Sequence, residues 1–353
     1  MTVEKPTTPT VGGPAPSAPP APALAVAPGP HLFSGALTTR SMMADVLIGL
    51  APLLAVAAWQ FQWYAVKQVG LCVLSCLGCE ALFTWLRRRP LALWDCSAAV
   101  TGAILGLSFP WNAPWYVALI ASGVAIGIGK VIFGGLGQNI FNPAMVGRAF
   151  VMISFPAALG AAGYTVADAP LKIVTEATPL TAAKLAGQGA DLWPLFIGNH
   201  NGSLGEVSAL ACILGGLYLC LRRTASWQIP AGVLGAVVVI GGLANLLSSP
   251  DTPLKLMRYT VLQHLCSGAV LFGAFFIATD PVTSPLTPWG KLAFGLALGA
   301  LVMVIRLFSG YPEGVMFAVL MMNGLTPLIN RWSIPTPVGG PAPAPTPAAQ
   351  KKE

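Results

Sequence analysis

The 353-residue chain is 55% hydrophobic and only 9% charged, with a net charge of +7. Soluble domains carry about 25% charged residues, so this chain cannot clothe a surface of its own size with solvated groups. A soluble globular protein is excluded, as is disorder over most of the length. What remains is an all-α polytopic membrane protein, in which the positive charge reads as loop cations rather than as a nucleic-acid surface.

In chain order, residues 1–40 form a Pro/Ala-rich tail, and 332–353 form a second Pro-rich tail. Neither has apolar surface to offset ordering entropy, so both are expected to be disordered. No basic start followed by an apolar run appears in the first 30 residues, so the first span is expected to serve as its own signal. Residues 41–331 form the membrane domain. About ten segments there have the length that a hydrocarbon layer of roughly 30 Å requires. They lie near 43–62, 68–86, 93–110, 114–130, 143–161, 204–221, 227–247, 262–279, 290–307 and 313–330.

An N-terminus in the cytoplasm puts thirteen of the 19 Lys and Arg residues inside, including Arg87–Arg89, Lys130, Arg148 and Arg222–Arg223. Six fall outside, among them Lys172, Lys184 and Arg306. This positive-inside pattern predicts two cytoplasmic tails and a long periplasmic loop at about 160–203. Ser97–Ala103 in the third span resembles Ser267–Ala274 in the eighth. Third members of two antiparallel sets of five would be related in this way in a 5+5 inverted repeat.

Ionisable groups at membrane depth are costly, and therefore functional candidates. Asp45, Asp95 and Asp280 lie near span ends, where capping or headgroup contact would also explain them. Glu80 lies deep in an apolar run and must face protein or water. Glu313 opens the last helix, where the dipole favours a carboxylate. The Gly-rich link Gly134–Arg148 contains Asn139 and Asn142, with Pro143 suited to the first helical position. Its counterpart is Thr279–Pro285. Both read as broken segments lining a cavity for a polar small molecule or ion. Cys72, Cys76 and Cys79 share one helix face, but no fourth ligand accompanies them and packing is preferred. His31, His200 and His264 have no metal-ligand spacing, so no metal site is expected. No phosphate loop, dinucleotide fingerprint or hydrolytic triad is present.

Four stretches carry a family resemblance: GGLGQNIFNPAMVGRAF (134–150), EATPL (176–180), FFIATDPVTSP (275–285) and GYPEGVMFAVLMMN (310–323). The chain resembles the D-subunit family of the Rnf (Rsx) complex, the ion-translocating ferredoxin:NAD oxidoreductase. The B subunit of the sodium-pumping NADH:quinone oxidoreductase is the sister family and an alternative. The resemblance implies FMN joined by a phosphoester to Thr178, installed by a flavin transferase. Lys172 and Glu176 depart from the acidic and small residues of the transferase's usual pattern.

The resemblance also implies a second, non-covalent flavin such as riboflavin. Asn139, Asn142, Asp280, Glu313 and Asp95 are the candidate ion or second-flavin region. The expected protein is an electron-transfer subunit in a bacterial inner membrane, coupling ferredoxin/NAD chemistry to Na⁺ or H⁺ translocation and inactive alone. Its expected partners are iron–sulfur, NAD-binding and second flavin-bearing subunits and the lipid bilayer, and not nucleic acid. Ten helices with broken segments would also suit an inverted-repeat secondary transporter without a redox cofactor.

Overall fold

The computed structural model describes residues 38–88, 93–159, 178–187, 189–248, 254–311 and 313–335. Most of both tails, and Lys172 and Glu176, lie outside the described residues. Regular structure among the described residues is helical. The first two spans are α1 (Thr39–Phe61) and α2 (Trp63–Leu86). The third is a short α3 (Ser97–Leu107), and the fourth is α4 (Trp115–Ile126) continued by a π turn (Gly127–Val131). The fifth is α5 (Pro143–Ser154), followed by a single turn, α6 (Pro156–Leu159).

Two short helices, α7 (Pro179–Ala186) and α8 (Leu192–Ile197), precede α9 (Ala209–Leu221) and α10 (Gln228–Leu247). The eighth span is broken into α11 (Val261–Cys266), α12 (Val270–Phe272) and a π turn (Gly273–Ile277). The last two spans are α13 (Pro288–Phe308) and α14 (Val315–Ser333). By length and composition, α1, α2, α10 and α13 can each cross a membrane; α3, α4 with its π turn, α5 and α9 are shorter apolar helices.

The helices stop short where other segments meet their ends. The α3 helix ends at Leu107, whose carbonyl accepts from Gly205 N at 2.6 Å, while Phe109 O accepts from Leu204 N at 3.1 Å. Residues 201–208 are non-helical yet buried, and such backbone is tolerated in a bilayer only when enclosed by protein. The sixth helix therefore begins at Ala209 rather than at 204.

Packing repeats between the halves. The α2 helix lies against α3 and α4, and α10 against the broken eighth span and α13; α4 meets α5 as α13 meets α14. The α1–α9 contact forms the seam, crossing at Gly49 and Gly215. A Cβ on Gly215 would strike the Gly49 carbonyl oxygen, so the two backbones touch directly, as small residues permit in membrane helix pairs. The third and eighth spans, which share the Ser–Gly–Ala stretch, are the interrupted ones: α3 starts after left-handed Cys96 (φ 61°), and α12 starts after left-handed Gly268 (φ 67°).

Candidate functional site

Two cavities in the bundle have polar side chains among apolar walls. One, of about 70 Å³, is lined by Ser97, Lys130, Asn139, Asn142, Thr224 and Asp280 among apolar neighbours. Asn142 caps α5 by accepting from Ala144 N at 3.1 Å and donates to Ile277 O at 3.3 Å, tying the Gly-rich link to the end of the eighth span. Asp280 holds its own turn, accepting from Val282 N at 3.2 Å and Thr283 Oγ1 at 3.1 Å. The buried Asn139 Oδ1 has no hydrogen-bond partner. The two broken segments that the sequence pairs thus meet in space.

Asp95 is not in the cavity wall but reaches it through Ser97, whose hydroxyl donates to Asp95 Oδ1 at 2.8 Å. Lys130 Nζ donates to Ser97 Oγ at 2.6 Å and to Glu80 Oε1 at 2.5 Å. Lys130 is 2% exposed. The expected loop cation is therefore an internal one, swung inward by the π turn and matched by Glu80 on α2. Such turns frequently mark functional positions.

Arg306 and Glu313 repair the break in the eighth span. The guanidinium of Arg306, a fully buried residue, donates to His264 O at 2.7 Å and Ser267 O at 2.9 Å, at the C-terminal end of α11. Glu313 Oε1 accepts from Ala269 N, at the start of α12. A cation at one helix end and an anion at the next complement the dipoles. A Cβ at Gly268 would meet both side chains. Arg306, counted among the outside cations, is thus a buried group in the last turn of α13, and Glu313 caps the broken span rather than joining Asn139, Asn142 and Asp280.

The second cavity, of about 40 Å³, is lined by Thr178, Thr181, Arg148, His200, Glu206 and Glu313, with apolar neighbours. Thr178 is the N-cap of α7; its Oγ1 accepts from Thr181 N at 3.3 Å and lies 2.8 Å from Thr181 Oγ1. Residues of the second half hold α7 in place. Tyr259 Oη donates to Pro179 O at 3.1 Å, Lys255 Nζ to Leu185 O at 2.6 Å, and Lys184 Nζ to Tyr311 O at 2.7 Å. Lys184 is thereby a fastening group, not a freely solvated loop lysine.

Arg148, expected among the inside cations, is 8% exposed and faces this cavity. Glu206 Oε1 accepts from Ser203 N at 2.8 Å while its Oε2 is unpartnered. Arg148, Glu206 and Arg306 are the residues that sequence reading missed. The signal available was their position: Arg148 within a resemblance stretch, Arg306 just before another, and Glu206 in the polar run at 199–208.

Residues 25–339 match the NQR2, RnfD, RnfE family. The chain belongs to this family. It is 39% identical over 315 residues to the D subunit of the Na⁺-translocating ferredoxin:NAD⁺ oxidoreductase complex of Acetobacterium woodii, covering 88% of this chain and 93% of the relative. It is 36% identical to the D subunit of the proton-translocating ferredoxin:NAD⁺ oxidoreductase complex of Clostridium ljungdahlii, covering 86% and 92%. It is 40% identical to the D subunit of the ion-translocating oxidoreductase complex of Stutzerimonas stutzeri, covering 84% and 91%.

Proposed function

We propose that this chain is the D-type membrane subunit of an ion-translocating ferredoxin:NAD oxidoreductase complex, and that it carries FMN as a phosphoester on Thr178. The complex membership rests on the D-type relatives, which span nearly the whole chain. The flavin reading is supported by one arrangement in particular: the Thr178 hydroxyl opens on a cavity containing a buried arginine. A cavity of about 40 Å³ has room for a few waters or one tetrahedral anion. It suits a phosphoryl group, and the ring system would lie beyond it.

Bound flavin supplies one- and two-electron transfer, while the protein contributes attachment, orientation and electrostatics. Thr178 supplies the attachment oxygen, α7 fixes its direction, and Tyr259, Lys255 and Lys184 hold α7 against the second half. The Asn142 cavity is the proposed ion or second-flavin region. Asn139, Asn142 and Asp280 supply oxygen and amide groups there, with Asp95 linked through Ser97 and Lys130. In this reading the protein sits in a bacterial inner membrane with the Thr178 side outward and both tails inward. It works with iron–sulfur, NAD-binding and second flavin-bearing subunits and a flavin transferase.

The test is a denaturing gel of the complex viewed under ultraviolet light, with mass spectrometry of the Thr178 peptide. Fluorescence on this subunit in wild type and its loss in Thr178→Val are expected. An unmodified Thr178 peptide from the intact complex would sink the flavin assignment.

A further inference from the structure

The Thr178 cavity contains a cation for which no hydrogen-bonded anion is present among the described residues. Arg148 projects from α5, is 8% exposed, and among the described residues donates no hydrogen bond. Both nearby carboxylates are engaged elsewhere through one oxygen: Glu206 by Ser203 N and Glu313 by Ala269 N. Arg306 is committed to two carbonyls of the broken eighth span. A buried guanidinium presents five donors in a rigid fork, a geometry that matches the oxygens of a tetrahedral anion.

Across the same cavity is the start of α7. Pro179 occupies the first helical position and has no N–H, so the Leu180 amide is a first-turn donor without an intrahelical acceptor. The Thr181 hydroxyl lies beside Thr178 Oγ1 and also lines the cavity. Guanidinium, helix start and hydroxyl all bear on a space the size of one tetrahedral anion.

We propose that Arg148 is the binding residue for the phosphoryl group of the Thr178-linked flavin, clamping its non-bridging oxygens together with Leu180 N–H and the Thr181 hydroxyl. The inference rests on the flavin reading above and adds a residue to it. A phosphodiester carries one negative charge, and its oxygens match the arginine fork.

The experiment uses the intact complex with wild-type, Thr178→Val, Arg148→Lys and Arg148→Gln chains. Two quantities are read: covalent flavin per chain at fixed transferase level, and the ³¹P resonance present in wild type but absent from Thr178→Val. The expected results are a displaced resonance in Arg148→Lys and occupancy lowered roughly tenfold in Arg148→Gln, the scale of one charge-assisted hydrogen bond. An unmoved resonance with unchanged occupancy in both assembled variants overturns the inference while leaving the flavin on Thr178. A wild-type chain without the adduct overturns the flavin reading itself, and the inference with it. If Arg148→Gln fails to assemble, the Arg148→Gln/Glu313→Gln pair removes one charge of each sign and is read in the same way.

Discussion

Lys130 and Glu80, fifty residues apart in sequence, form an ion pair inside the bundle, Nζ to Oε1 2.5 Å, with both side chains almost wholly enclosed. The pair fastens the fourth span to the second and places an ammonium group in the wall of the Asn142 cavity. Desolvating two charges is costly, and their attraction roughly offsets that cost only while both are present.

Lys130→Met is therefore expected to destabilise the protein by about 3 kcal/mol or more, because Glu80 is left buried without its partner. Lys130→Met/Glu80→Leu should recover most of that loss. Thermal unfolding of the three purified forms in detergent measures the difference. A double variant as unstable as the single one would contradict the pairing.

Gly215→Ala is expected to cost about 1–3 kcal/mol through overpacking, since the added methyl meets the Gly49 carbonyl across the α1–α9 seam. Gly78→Ala, where nothing lies within 4 Å, should instead be neutral or gain up to about 1 kcal/mol from helix propensity. The same unfolding assay separates them.

Asn142→Ala should remove both the α5 cap, worth about 0.5–2 kcal/mol, and the hydrogen bond to Ile277 O. Asn142→Asp keeps the cap and loses only the second. Amide hydrogen exchange should accordingly quicken at Ala144 and Met145 in the alanine variant alone, and near Ile277–Asp280 in both. Equal protection at Ile277–Asp280 in wild type and both variants would refute the linking role.

Burial holds the His200 imidazole below its ordinary range, so the native state stays neutral while the unfolded chain takes a proton below about pH 6.5. The unfolded state then binds more protons, and stability falls as pH drops through that region. His200→Gln should lose less thermal stability between about pH 7.5 and 5.5 than wild type does. Identical losses in the two forms would contradict it.

Much of this architecture is legible in the sequence because a bilayer enforces it. Unsatisfied backbone groups cannot face lipid, so the apolar runs that become α1, α2, α10 and α13 must be helices, and their lengths follow from the thickness of the hydrocarbon layer. The Asn-Pro and Asp-Pro segments likewise announce broken backbone, and their polar side chains identify one cavity from local chemistry alone. Thr178 is visible only through the resemblance of its stretch, since a threonine before proline is locally just a helix cap.

Charge counting places loops on a side of the membrane but cannot see a cation that turns inward, because the cost of burying it depends on what it meets. Lys130 meets Glu80, Arg306 meets the carbonyls of a broken helix, and Arg148 meets the cavity of Thr178. Those partners lie tens of residues apart in sequence and on different elements, and no local pattern brings them together. Composition and the lengths of the apolar runs alone determine that the chain is a helical membrane protein. Only tertiary packing decides which charges are internal, because a desolvation cost is offset by neighbours in space rather than in sequence.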